Sequence, residues 1–103
     1  MNIKKIQKQL SDFADERDWN QFHNPKNLAM ALSVEASELV EIFQWLTPEQ
    51  AEAIMGTDEN EHVKEELADV MIYLIRLADK LNVDIEDAVT DKIVKNSEKY
   101  PKL

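Results

Sequence analysis

Two pairs of acidic residues, each pair three positions apart, are the groups in this chain best suited to chemistry. They are Glu35 with Glu38, and Glu66 with Asp69. Both pairs lie in segments with apolar residues at helical spacing, where Glu35 and Glu66 fall inside the apolar stripe and their partners lie at its edge. A carboxylate in apolar surroundings is costly, and four clustered carboxylates repel one another. The pattern therefore predicts a cation site between two facing helices.

The composition of this acid set indicates which metal it would hold. The chain has no cysteine and only two histidines, so oxygen ligands favour Mg²⁺, with Mn²⁺ as a substitute, over Zn²⁺. A di-iron bundle is a competing interpretation, but it requires Glu-x-x-His on two helices. That motif occurs once, at Glu59–His62, and His23 has no Glu three positions before it. A third interpretation, in which the acids are solvated or paired with lysines, fits the other glutamates better than the two stripe residues.

The apolar periodicity predicts the elements that must position these acids. It is typical of an all-α fold in a single domain spanning 1–103, with four main helices and a short connecting helix. Asn24-Pro25, Thr47–Gln50 and Asp84 resemble helix starts, and Asn82 is a reasonable helix stop. The predicted helices, in chain order, cover approximately 2–18, 25–46, 48–56, 58–81 and 84–100.

The helix predicted over 58–81 is apolar on every side between Val70 and Ile75. Such a helix is usually buried all round. Three partner helices of similar length can hardly enclose it, so we expect a second subunit and an oligomeric helical bundle.

Charge and hydropathy exclude several classes of partner. The net charge of −9 argues against nucleic-acid binding through a broad basic face. No apolar run is long enough to cross a membrane, and the first residues lack the apolar core of a signal peptide. We therefore expect a cytoplasmic protein without nucleic-acid or membrane partners.

At the acid pairs, the sequence resembles the MazG-type all-α nucleoside triphosphate pyrophosphohydrolases, whose motif is Glu-x-x-Glu, a gap, then Glu-x-x-Asp. Here it reads Glu35-Ala-Ser-Glu38 and Glu66-Leu-Ala-Asp69. Four further segments resemble the dCTP pyrophosphatase branch of the family, so that the likeness covers nearly the whole chain: Asp18–Leu28, Glu41–Trp45, Asp69–Leu74 and Lys92–Pro101.

The resemblance implies Mg²⁺-dependent hydrolysis of (deoxy)nucleoside triphosphates to monophosphate and pyrophosphate, in nucleotide-pool housecleaning. It also implies a homodimer or a dimer of dimers. It makes all four acids metal ligands and gives Glu38 the added role of helping to deprotonate the attacking water. By the same resemblance, six further residues are substrate-binding candidates, namely Trp19 and Trp45 at the base, Tyr73, Lys92 and Asn96 near the sugar and phosphates, and His23 at the pocket border.

Taken as residues alone, the two tryptophans also fit an ordinary core, and the lysines a solvated helix face. The alternative to an enzyme is an acidic helical adaptor that binds a protein partner without catalysis. An adaptor would explain the negative charge and the apolar helix over 58–81. It would not explain why Glu35 and Glu66 lie inside apolar stripes.

Overall fold

The computed structural model describes residues 1–103, and it contains five α-helices and no strand. This confirms the all-α prediction with four long helices and a short one. The expected short helix consists of a short α-helix followed by a 3₁₀ turn at Ile54–Gly56. A second 3₁₀ turn lies at Trp19–Gln21. The α-helices are α1 (Ile3–Glu16), α2 (Pro25–Phe43), α3 (Pro48–Glu52), α4 (Asn60–Lys80) and α5 (Ile85–Lys99).

Four helix starts, including that of α1 at Asn2, are fixed by side chains that accept hydrogen bonds from otherwise unpaired backbone N–H groups. Asn24 Oδ1 accepts from the Asn27 N–H at 2.9 Å, directly before Pro25 at the first position of α2. Thr47 and Gln50 form a reciprocal capping box at α3, as their sequence predicts. Asp84 caps α5 in the same way.

The bundle core lies between α2 and α4, which pack along each other, with α1 resting on α4. Leu28 of α2 and Ile75 of α4 are the largest fully buried side chains. The other buried apolar residues are Ala14, Ile54, Val63 and Ala78. Buried apolar side chains therefore hold α2 and α4 together along a seam, and the acid pairs lie on these two helices.

The last helix leaves this bundle. Asn82 ends α4 with a left-handed backbone, φ 55°, and the Val83 N–H donates back to the carbonyl of Ala78. After this turn, α5 forms no extended interface with the other helices and has no buried residue.

Large apolar side chains remain exposed on four helices, including Phe13 of α1. On α4, Leu67 is 53% exposed, and Met71, which lies in the segment Val70–Ile75 that was expected to be covered all round, is 37% exposed. Others on α2 and α5 are Met30, Val34, Val40, Val89, Ile93 and Val94. The expectation of a second subunit stays a prediction, and these faces are where it would bind. None of the five helices has the length and apolar character needed to span a bilayer.

Candidate active site

The packing of α2 against α4 brings three of the four predicted acids together. Carboxylate oxygens of Glu35, Glu38 and Glu66 all lie within 4.8 Å of one another. Asp69, one turn after Glu66, is outside this limit but lines a cavity beside Glu35. The four acids thus lie along the α2–α4 seam, away from the ends of both helices.

The cluster is electrostatically unfavourable without a cation. The Oε2 atoms of Glu35 and Glu66 are buried and have no hydrogen-bond donor. Burial raises the pKa of Glu35 to about 7, helped by hydrogen bonding of its protonated form to Glu38 and Glu66 and by the charges of Glu38 and Asp69. The pKa of Glu66 is also raised, chiefly by burial. Two neighbouring acids, Glu66 buried and Glu35 half-buried, whose charged forms are disfavoured are characteristic of a functional site.

These carboxylate oxygens fit a hard divalent cation. Two buried oxygens lack a partner, and every group of the cluster is a carboxylate, the ligand type that Mg²⁺ and Mn²⁺ prefer. His62 approaches the cluster, with Nε2 3.7 Å from Glu66 Oε1, but its Nδ1 pairs with Glu59 Oε2 at 2.9 Å. The second histidine that a di-iron bundle would need, His23, lies elsewhere and pairs with an arginine.

A cavity of about 310 Å³ adjoins the acid cluster. Trp19, His23 and Tyr73, three of the predicted substrate-binding residues, line it together. The Trp19 ring lies edge-on to Phe13, with 5.3 Å between the ring centroids. The remaining lining residues are Leu10, Ala14, Glu35, Asp69, Ile72 and Arg76. A flat apolar group can therefore be held among aromatic walls, directly beside the carboxylates.

Arg76 is a site residue that the sequence analysis did not identify. It is only 3% exposed, and its Nη2 donates to Asn20 Oδ1 at 3.0 Å while its Nε donates to His23 Nδ1 at 3.4 Å. Burial, followed by the charges of Arg76 and Lys80, lowers the pKa of His23 and keeps its ring neutral. The available signal was its position, three residues after Tyr73 and seven after Asp69, on the same face of the helix.

The remaining predicted residues are not brought to this cavity within one chain. Trp45 follows the end of α2 and is 86% exposed. Lys92 and Asn96 belong to α5, which does not pack along α2 or α4. Their predicted contacts with substrate stay predictions, and they would require a partner chain to complete the site.

Comparison with known proteins places these observations in a family. The MazG-like family model matches residues 30–102. dCTP pyrophosphatase 1 of Mus musculus is 42% identical over 100 residues, and that of Homo sapiens is 43% identical over the same length. Each alignment covers 96% of this chain and 59% of the relative, so the chain spans about three fifths of the curated relatives it matches.

The fold comparison agrees. The crystal structure of a pyrophosphatase from Archaeoglobus fulgidus superposes with a TM-score of 0.91 at 40% sequence identity, covering 99% of this chain and 94% of the other. Together with the family match over residues 30–102, the sequence and the fold show that this chain belongs to the MazG-like family.

Proposed function

We propose that this chain is a metal-dependent nucleoside triphosphate pyrophosphohydrolase that releases monophosphate and pyrophosphate, and that it serves nucleotide-pool housecleaning. The observation that carries the proposal is the acid cluster with two unpartnered buried oxygens beside a cavity with aromatic walls. The similarity to dCTP pyrophosphatase 1 and to an archaeal pyrophosphatase supports the same reaction class.

Glu35, Glu38, Glu66 and Asp69 would hold Mg²⁺, for which Mn²⁺ could substitute. When bound, the metal neutralises phosphate charge and makes water a better nucleophile. Phosphoryl chemistry of this kind depends mainly on positioning and charge neutralisation, so no covalent nucleophile is required of the protein.

Glu38 is the proposed general base. Of the three clustered glutamates, it alone has no carboxylate oxygen that is sealed from solvent without a partner. Its carboxylate can accept the proton of a water molecule that attacks the α-phosphorus. One bond forms between that oxygen and phosphorus, the α–β bridging bond breaks, and the electron pair leaves with pyrophosphate.

The aromatic cavity would hold the nucleoside, with Trp19 and Tyr73 as walls. A base stacked on an aromatic side chain gains roughly 1–3 kcal/mol. Lys92 and Asn96, which lie four residues apart on one face of α5, would neutralise and orient the phosphates. Because α5 does not pack along its own α2 and α4, the proposal assigns this contribution to a partner copy in a homodimer or dimer of dimers.

The position of bond cleavage tests the proposal. Hydrolysis of dCTP in heavy-oxygen water with Mg²⁺ should place the label in the monophosphate and none in pyrophosphate. Excess chelator should abolish turnover, and Mg²⁺ or Mn²⁺ should restore it. Label in pyrophosphate, or release of inorganic phosphate with a diphosphate, would refute the proposed reaction.

A matched pair of variants tests the base. Removal of a general base typically costs about 10²–10⁴-fold in rate, so Glu38→Gln should lower kcat by that order. Glu41→Gln, an exposed acid one turn further along α2, should retain turnover. Absence of turnover in the wild type with every common triphosphate would leave the acidic adaptor as the better interpretation.

A further inference from the structure

Arg76 is a buried cation whose hydrogen-bonding capacity is only partly used. Nε and Nη2 donate to His23 and Asn20, but Nη1 forms no hydrogen bond within the protein. Its one nearby carboxylate, Asp79 Oδ2, lies 3.8 Å from Nη1. A buried charge that lacks close partners is unfavourable unless another acceptor joins it. Since Arg76 lines the cavity, that acceptor can come from a bound ligand.

The position of Arg76 along α4 indicates which part of a ligand it meets. Arg76 follows Glu66 by ten residues and Asp69 by seven, which corresponds to about 15 Å and about 10 Å along a helix axis. The backbone of Arg76 is thus displaced along α4 from the acids that would hold a phosphate. The Arg76 guanidinium instead donates to His23, whose ring centroid lies 5.8 Å from that of Trp19, an aromatic wall of the cavity. Since Trp19 is the wall assigned to the base, the base is the part of a bound nucleotide expected beside Arg76.

The polar surface around Arg76 presents donors. His23 accepts a hydrogen bond from Arg76 at Nδ1, so its neutral ring carries the proton on Nε2 and offers a second N–H donor. An arginine has no acceptor. The amino group of adenine, which is a donor, finds no acceptor in the Arg76 guanidinium or the His23 Nε2–H, whereas a carbonyl oxygen can accept from both.

We propose that Arg76 is a specificity-determining residue that donates from Nη1 to an exocyclic carbonyl oxygen of the base, and that the protein prefers bases with such a carbonyl over adenine. The inference rests on the proposed function for the nature of the ligand. A hydrogen bond to a charged group is worth enough to change affinity by about 10- to 100-fold.

The matched substrates dITP and dATP test the preference, because their bases differ at the 6-position by a carbonyl in place of an amino group. The wild type should favour dITP in kcat/KM by about 10- to 100-fold. Arg76→Met should remove this preference and raise KM for dCTP and dITP by a similar factor, with KM for dATP little changed. Arg76→Lys, which keeps the charge, should retain part of the preference.

Lys80→Met is the control variant, since Lys80 also contacts Asn20 Oδ1 but does not line the cavity. It should keep the wild-type ratio of dITP to dATP. A wild type that favours dATP, or a dCTP KM that is the same in Arg76→Met and the wild type, would overturn the proposal. So would an equal loss on all three substrates, which would mean that Arg76 only holds Asn20 and His23 in place.

Failure of the proposed function would be distinguishable. If the wild type hydrolyses no triphosphate, calorimetric titration with dIMP and dAMP still measures the affinity of the cavity for each base. Tighter binding of dIMP that is lost in Arg76→Met would support the role of Arg76 without any turnover. Equal affinity for the two monophosphates in the wild type would overturn it.

Discussion

Glu35 is the residue whose surroundings most strongly oppose its charge. Its Oε2 is buried without a donor, and Glu38, Glu66 and Asp69 surround it with further carboxyl groups. The pKa of Glu35 is therefore about 7 in the folded protein, compared with 4.5 as its ordinary value. The folded state binds this proton more tightly than the unfolded state, so ionising Glu35 destabilises the fold as pH rises through that window.

The direction of this pKa shift gives the first prediction. In excess chelator, the free energy of unfolding of the wild type, taken relative to Glu35→Gln, should fall as pH rises from about 4.5 to about 7. Urea unfolding of both proteins at several pH values measures the difference. Glu41→Gln should follow the wild type across the same range. If the difference in free energy of unfolding between the wild type and Glu35→Gln were independent of pH, the raised pKa of Glu35 would be contradicted.

Glu66 gives the second prediction, which concerns the metal. A cation that binds only the folded state stabilises it by mass action and relieves the repulsion among the acids. Mg²⁺ should therefore raise the Tm of the wild type, and Glu66→Gln should blunt the rise. Thermal unfolding at increasing Mg²⁺ measures it, with the exposed neighbour Glu65→Gln as control. An equal response in Glu66→Gln and Glu65→Gln would remove Glu66 from the site.

The acid pairs were accessible to sequence reasoning because their signal is local. An acid inside an apolar stripe violates a pattern that is visible within one helix. Arg76 was not accessible, since its meaning depends on Asn20 and His23, which are 56 and 53 residues away in the sequence. From the sequence alone, an arginine beside apolar residues is equally consistent with a side chain that extends to solvent.

At the scale of the elements, the turn between α4 and α5 decides where the last helix points. Asn82 has φ 55°, its N–H donates to the Asp79 carbonyl, and the Val83 N–H donates to the Ala78 carbonyl. These two hydrogen bonds, together with the left-handed residue, form a Schellman motif, in which glycine or asparagine is favoured at that residue. The sequence prediction of a helix stop at Asn82 is confirmed by this geometry.

The third prediction follows from that backbone. Asn82→Ala should lower the free energy of unfolding by about 1–2 kcal/mol. The Cβ atom of alanine disfavours the left-handed conformation, and alanine lacks the polar side chain with which asparagine compensates by local hydrogen bonding. Asn82→Gly should be neutral or stabilising, since glycine adopts positive φ freely. Urea unfolding of the three proteins measures both changes. If Asn82→Ala and Asn82→Gly are equally stable, the turn does not depend on this residue.

One helix end was predicted wrongly. The apolar stripe of α2 continues to Leu46, but the helix ends at Phe43, and the Leu46 N–H donates to the Phe43 carbonyl in a tighter turn. Thr47 precedes Pro48 and is extended, at φ −70° and ψ 161°, as a residue before proline prefers. The proline therefore prevents a helix from running through Thr47, a limit that the spacing of apolar residues alone does not reveal.

At the scale of the whole molecule, a single chain is open and buries few of its residues. Its radius of gyration is 16.5 Å, whereas a compact domain of about 100 residues has about 13 Å. Only 8 of 103 residues are buried, and α5 extends from the bundle with Val89, Ile93 and Val94 exposed. The sequence indicated that α4 was too apolar for one chain to cover. It could not show that α5 would also be left open, because that depends on the direction of the Asn82 turn.

The fourth prediction is that a second copy covers these faces. Light scattering at micromolar concentration should give at least twice the chain mass of 11.9 kDa. Ile93→Asp places a charge on the apolar face of α5 and should shift the mass towards that of one chain. Lys95→Asp, two residues further and thus on the opposite side of the helix, should leave the assembly intact.

Loss of the assembly is expected to abolish turnover as well, because Lys92 and Asn96 lie on α5, which does not pack along α2 or α4 of its own chain. Ile93→Asp should therefore lose turnover as it loses mass, while its α2–α4 seam keeps the Mg²⁺-dependent rise in Tm. A monomeric wild type with full activity would contradict both the second copy and the contribution of α5. A dimeric Ile93→Asp variant would instead move the interface to the exposed faces of α2 and α4.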